Sequence, residues 1–235
     1  MLDYPTFIMS FIQERLASIQ NRIEAAAQKS GRSLKDIEVV AVTKGISVER
    51  ILEAQAAGIS VFGENRVQEA EVKIPAVQVP GLEWHMIGHV QSNKVKTTLA
   101  LFGLIQSVDS IRLAKNISGE SQAQNKVTRF LLEVNISGQP QRFGFSPQEI
   151  YGAVQEITKL PAIHVLGLMG MAPNKAAPGK IRESFKTLRN IFSVLKTLKS
   201  ENLEMKYLSM GMSDDFEIAI EEGSNMIRLG RALFS

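Results

Sequence analysis

A single α/β barrel, eight parallel strands ringed by helices and preceded by an extra N-terminal helix, is the fold that the sequence predicts. Three observations carry this. Short β-branched runs alternate strictly with segments of helical periodicity, which implies right-handed crossovers and a parallel sheet. There are eight such runs. The chain has 235 residues, close to the roughly 250 of a closed (β/α)8 barrel. An open doubly wound sheet is the competing architecture, but no dinucleotide-type glycine fingerprint follows the first strand. With no linker or low-complexity stretch, residues 1–235 read as one domain.

Ile8, Phe11, Ile12, Leu16, Ile19, Ile23 and Ala26 recur at helical spacing before Gly31, so a helix is expected over about 6–29. The nearly continuous run Ile37–Thr43 is a strand buried on both faces. Further strands are expected at 59–62, 84–87, 104–108, 129–135, 164–168, 205–209 and 226–229. The intervening helices are expected at 48–57, 65–73, 90–101, 110–123, 147–158, 179–199 and 214–222. The last strand lacks a helix of its own, so the N-terminal helix should fill the outer ring or cap the barrel bottom.

Composition narrows the function. The chain is 44% hydrophobic and 22% charged, as an ordinary globular domain is. It has no cysteine, which excludes disulfide scaffolds, cysteine metal sites and a cysteine nucleophile, and fits a reducing cytoplasm. The first basic residue is Arg15, unlike a secretory signal, and no apolar run reaches the roughly 18 residues that span a bilayer. The net charge is +3. The densest basic patch, Lys175 to Lys199, reads as a solvated helix face rather than a nucleic-acid stripe. A monomer is expected, since no long exposed apolar stripe is evident.

In such a barrel the chemistry sits at the C-terminal ends of the strands. Two places there are informative. Lys44 ends an apolar strand, and an amine in low-dielectric surroundings becomes a better imine-forming nucleophile. The loops after strands seven and eight, where barrels often bind phosphate, carry Ser209, Gly211 and Ser213, then Arg228, Gly230 and Arg231. Ser213 is placed to cap a helix starting near Asp214. Unpaired N–H groups at a helix start suit an anion, and Gly230 permits close backbone approach. Ordinary turns and a surface lysine are the plainer alternative. Together the features suggest a phosphorylated aldehyde or ketone. His85 and His89 bracket a strand end with no acid at ligand spacing in the sequence, so no metal site is expected; His164 reads as a core residue. The segment Pro173–Gly179 reads as a connector.

The residues Val40–Lys44, Phe62–Glu69, Trp84–Lys94, Gly167–Met169, Leu208–Asp215 and Ile227–Gly230 resemble those of the pyridoxal 5′-phosphate homeostasis proteins, small relatives of the alanine racemase barrel domain. The likeness spans almost the whole chain, with Thr98 standing where an aliphatic residue is expected. It implies that Lys44 holds pyridoxal phosphate as an internal aldimine. It further implies phosphate contacts from Ser209, Gly211, Ser213, Gly230 and the Arg231 backbone. Arg228 would face the pyridine nitrogen, Asn65 would lie beside the cofactor, and Arg142 is similar to a racemase arginine near the phenolic oxygen.

An arginine at 228 can only donate, so the ring nitrogen stays unprotonated and the electron sink is weak. Tyr4, Tyr151 and Tyr207 are poorly placed to act as a racemase's second base, and the chain ends at Ser235, before the domain that supplies that base in racemases. The expected function is therefore reversible holding of pyridoxal phosphate and its delivery to apo-enzymes, without robust catalysis. A weak racemase or lyase using Lys44 is the enzyme alternative. A sugar-phosphate aldolase or isomerase, with Glu64 shuttling protons, is the third class.

Overall fold

The computed structural model describes residues 10–235; the expected helix start at 6–9 and Tyr4 lie outside them. Ser10 caps α1 (Phe11–Lys29) through a reciprocal pair: its hydroxyl accepts from the Gln13 N–H, and the Gln13 side chain accepts from the Ser10 N–H. Ile12, Leu16, Ile19, Ile23 and Ala26 form the buried stripe of this helix.

The strands are β1 (Glu38–Val42), β2 (Val61–Glu64), β3 (Glu83–Met86), β4 (Leu104–Val108), β5 (Thr128–Val134), β6 (Ile163–Gly170), β7 (Leu203–Met212) and β8 (Met226–Leu229). They pair in chain order, and β8 closes in parallel onto β1. The connecting helices are α2 (Val48–Ala56), α3 (Val67–Val77), α4 (Val95–Leu101), α5 (Ile111–Ala123), α6 (Ile150–Ile157), α7 (Pro178–Leu195) and α8 (Phe216–Glu221). The eight-unit barrel is thus the observed fold.

Strand side chains alternate between two cores. Val40, Val61, Leu104, Leu131, Leu166 and Met226 fill the barrel interior. Ala41, Phe62, Ile105, Phe130, Leu132 and Val165 face outward against the helices. The N-terminal helix completes the ring: α1 packs against α8 and α2. Arg22 pairs with Glu217 at 2.6 Å, and Arg32 donates to the Ile220 carbonyl in the last turn of α8 and to the Gly223 and Ser224 carbonyls just past it.

Three expectations are corrected. The expected loop 209–213 is largely strand: β7 runs on to Met212, because Ser209 pairs with both Met169 and Met226, and Met212 pairs with Arg228. Parallel pairing overrides the turn signal of the glycine. The last strand does have a helix, α9 (Arg231–Phe234), which starts at Gly230. The expected helix 90–101 divides into a 3-10 turn (Ser92–Lys94) and α4.

Candidate functional site

Lys44 leaves β1 between two pinned neighbours. Thr43 donates its N–H to the Gly63 carbonyl at 2.9 Å and its hydroxyl to Glu64 Oε2 at 2.9 Å. The Gly45 N–H donates to Glu69 at 3.1 Å. Lys73, which sequence reasoning missed, ties these together: its Nζ donates to the Thr43 carbonyl (2.7 Å), Glu64 (2.9 Å) and Glu69 (2.6 Å). Burial pulls the Lys73 pKa down, but the two carboxylates outweigh it and hold it above the ordinary lysine value. Glu69 is held low by Lys73 and by the Gly45 N–H. The i,i+4 spacing of Glu69 and Lys73 was the available signal. Lys44 itself is exposed, so the expected low-dielectric setting is not met; its strand ends at the rim, where solvent reaches.

A cavity of about 740 Å³ opens beside it, lined by Lys44, Ser213, Asp215, Arg228, Gly230 and Arg231 among others. Five of the predicted site residues therefore meet: Lys44, Ser213, Arg228, Gly230 and Arg231. The segment expected to be a mere connector forms part of the wall, through Pro173, Asn174, Lys175, Ala176 and Pro178.

Ser213 does not cap α8 as expected. Asp215 stands at that helix start, and the Ser213 hydroxyl instead accepts from the Ala232 N–H of α9 at 3.1 Å. The Gly230 N–H donates to no acceptor among the described residues, and the Arg231 N–H stands in the first turn of α9, where the helix itself offers it no acceptor. The Arg231 side chain turns away to an exposed pair with Asp214 at 2.6 Å, leaving its backbone at the cavity.

Arg228 is buried. Its Nη1 donates to the Ser209 carbonyl (3.0 Å) and hydroxyl (2.5 Å), and its Nη2 to the Gly170 carbonyl (3.1 Å). Burial lowers its pKa to about 10, against the opposing charges of Glu133 and Asp215. It remains a cation at neutral pH. Glu133, buried in β5 and also missed in the sequence, is pushed up to about 7 by burial and by Asp109, while Arg228 and Arg142 pull the other way. Asp215 is raised by burial, although it accepts from the Met212 N–H at 2.6 Å.

The other predicted residues lie off this wall. Ser209 is wholly buried and holds Arg228. Gly211, at φ +98°, lets β7 press against α8, where a Cβ would stand 2.6 Å from that of Ala219. Asn65 lies on a neighbouring pocket with His89 and Lys94, its Oδ1 buried without a hydrogen-bond partner. Arg142 bonds Gln139 at 3.2 Å near the rim.

The fold places acids beside two of the histidines. It brings Glu38 and Glu83 to His85, with ligand-type atoms within 4.8 Å of one another, although Arg129 already pairs with Glu83 at 3.2 Å. His89 binds Asp109 at 2.7 Å and stacks on Phe143. Glu38 comes from β1 and Asp109 from the end of β4, invisible to local spacing, whereas Glu83 precedes His85 by two residues in β3.

Residues 15–235 match the family model "Alanine racemase, N-terminal domain". The pyridoxal phosphate homeostasis protein of Aquifex aeolicus is 38% identical over 221 residues, covering 94% of this chain and 96% of its own. The namesake from Escherichia coli K12 is 35% identical over 229 residues, with 96% and 97% coverage. The chain belongs to this family. A solved relative, PipY of Synechococcus elongatus with PLP bound, superposes at a TM-score of 0.83 with 32% identity, covering 95% of this chain and all of that one. An alanine racemase of Clostridium difficile, 16% identical with a TM-score of 0.72, shares the fold across 55% of its length. Among the described residues no helix is long and apolar enough to cross a membrane.

Proposed function

We propose that this protein binds pyridoxal 5′-phosphate reversibly at the Lys44 cavity, buffering the reactive aldehyde and passing it to apo-enzymes. One observation carries the reading. The Gly230 N–H, the Arg231 N–H in the first turn of α9 and the Ser213 hydroxyl share a cavity wall with an amine, Lys44, and a donor-only cation, Arg228. That set suits a phosphorylated aromatic aldehyde. When bound, the cofactor supplies an aldehyde for covalent attachment and a ring that can accept electrons.

The chain's own residues divide the work. Lys44 supplies the amine, presented by the Thr43–Glu64–Lys73 lattice. Ser213 and the two backbone N–H groups take the phosphate at the start of α9. Arg228 directs its remaining donors to the ring nitrogen and keeps it unprotonated, which weakens any carbanion sink. Asn65 and Gly211 shape the rim and the β7–α8 contact, and Ser209 holds the guanidinium. The homeostasis names of relatives more than 30% identical support a carrier rather than an enzyme. So does the set of cavity-lining residues, which includes no tyrosine among the described ones. Glu64 is committed to Lys73, Thr43 and Asn65, which disfavours the aldolase reading.

The test is direct. Purified protein mixed with pyridoxal phosphate and reduced with borohydride should carry a pyridoxyl group on Lys44, seen by mass spectrometry and absent from Lys44→Ala. A reduced protein unlabelled at Lys44 defeats the reading. Reactivation of a pyridoxal-phosphate apo-enzyme by the loaded protein supports delivery, whereas sustained racemisation of any amino acid favours the enzyme alternative.

A further inference from the structure

A continuous line of polar side chains crosses the barrel interior. Arg228 Nη1 donates to Ser209 Oγ at 2.5 Å, Ser209 Oγ donates to Gln106 Oε1 at 2.6 Å, and Gln106 Nε2 meets His85 Nδ1 at 2.9 Å. His85 Nε2, buried and without a hydrogen-bond partner, faces Glu83 Oε1 at 3.5 Å on the barrel floor. All of Ser209, Gln106, His85 and Arg228 are buried. The chain thus joins the C-terminal rim, where Arg228 reaches the cavity, to the opposite end of the strands.

Its direction follows from chemistry. A guanidinium has no acceptor, so Ser209 Oγ accepts from Arg228 and its single proton goes to Gln106 Oε1. That turns the Gln106 amide nitrogen toward His85 Nδ1 and Met226 Sδ, the latter at 3.2 Å. Both are acceptors. His85 Nδ1 must then be bare, and the ring proton sits on Nε2, toward Glu83. An imidazolium would present two donors and oppose the amide.

We propose that Ser209, Gln106 and His85 are positioning residues for Arg228, and that a neutral His85 carrying its proton on Nε2 keeps the guanidinium aimed at the cavity. This rests on the reading that Arg228 faces the cofactor ring. Three of the five guanidinium protons are directed to the Ser209 carbonyl, the Ser209 hydroxyl and the Gly170 carbonyl; the remaining donors are held for the ligand. The opposite His85 tautomer would turn the Gln106 amide over, so that Ser209 would receive two donors and its own proton would lose its acceptor. The charged groups around the floor are Glu38 from β1, Glu83 from β3, Arg129 from β5 and Lys206 from β7.

The decisive measurement needs no cofactor. Two-bond proton–nitrogen NMR on the ligand-free wild type at pH 7.5 should show His85, one of three histidines, with a bare Nδ1 and a protonated Nε2. The reverse tautomer, or an imidazolium, overturns the proposal. Next, Gln106→Leu should lower affinity for pyridoxal phosphate about tenfold, as loss of one hydrogen bond worth about 1.4 kcal/mol would. It should also move the visible absorption maximum of the loaded protein. Unchanged affinity and spectrum in a folded variant overturn the proposal. If Gln106→Leu does not fold, the wild type decides: pyridoxal phosphate must shift the His85 nitrogen resonances, and an unmoved His85 in the loaded protein overturns the coupling. If pyridoxal phosphate never labels Lys44, the binding reading fails, while the tautomer measurement still tests the chain.

Discussion

Lys73 Nζ lies 2.9 Å from Oε2 of Glu64, a carboxylate with no exposed surface. The pair is structural and sits directly beneath Lys44. Removing one member of a buried ion pair leaves the other charge uncompensated and costs about 3–5 kcal/mol. Lys73→Met is therefore expected to destabilise the fold by about that amount in urea unfolding. Adding Glu64→Gln should recover part of the loss, since the orphaned charge is then gone. A Lys73→Met variant as stable as the wild type contradicts the assignment.

Gly88 packs against Asn65 so closely that an added Cβ would stand 2.1 Å from the Asn65 carbonyl oxygen. Backbone cannot yield as a side-chain tip does. Gly88→Ala should cost about 3 kcal/mol by overpacking and should displace the Asn65 segment. Thermal unfolding measures the first effect. Altered proton–nitrogen resonances of residues 64–67 report the second, and their constancy counts against the contact.

Glu133 makes stability pH-dependent in an unusual direction. Its carboxyl is raised from 4.5 to about 7 in the folded protein, mainly by burial. The folded state binds the extra proton, so this contribution is present below pH 4.5 and is lost as pH rises through about 7. At about 1.4 kcal/mol per unit the loss is at most about 3.5 kcal/mol. Glu133→Gln keeps the neutral shape and should be more stable than the wild type at pH 8, with the difference vanishing near pH 5. Denaturant midpoints at the two pH values give the answer. A gap of equal size at both would place the ionisation elsewhere.

What could be read from the chain divides along physical lines. Strand order and barrel closure follow from alternation, which each strand declares locally through Val, Ile and Leu. Lys44, Ser213 and Gly230 were legible because the barrel fixes where strands end. Gln106, Glu133 and Lys73 were not. Gln106 and Glu133 sit inside apolar strands, where only the closed barrel shows which face is inward. The partners of Lys73 come from β1, β2 and α3. The position of Ser209 after the seventh apolar run puts it in the phosphate loop; pairing with Met169 and Met226 makes it strand, and its hydroxyl serves Arg228.

That separation of the two serines yields opposite expectations for two single substitutions. Ser213 bonds the Ala232 N–H beside the Gly230 and Arg231 N–H groups at the start of α9, so Ser213→Ala should weaken pyridoxal phosphate about tenfold and leave pyridoxal, which lacks the phosphate, nearly untouched. Ser209 acts through Arg228 on the ring, common to both compounds, so Ser209→Ala should weaken the two alike. Arg231→Ala is the control. Its side chain is spent on an exposed pair with Asp214, worth under about 1 kcal/mol, and only its backbone faces the cavity. Its affinity for pyridoxal phosphate should stay within about twofold, as a change of roughly 0.4 kcal/mol would give. Equilibrium titration of both ligands against the three variants separates the contributions. Equal weakening of both ligands by Ser213→Ala would move the phosphate away from α9.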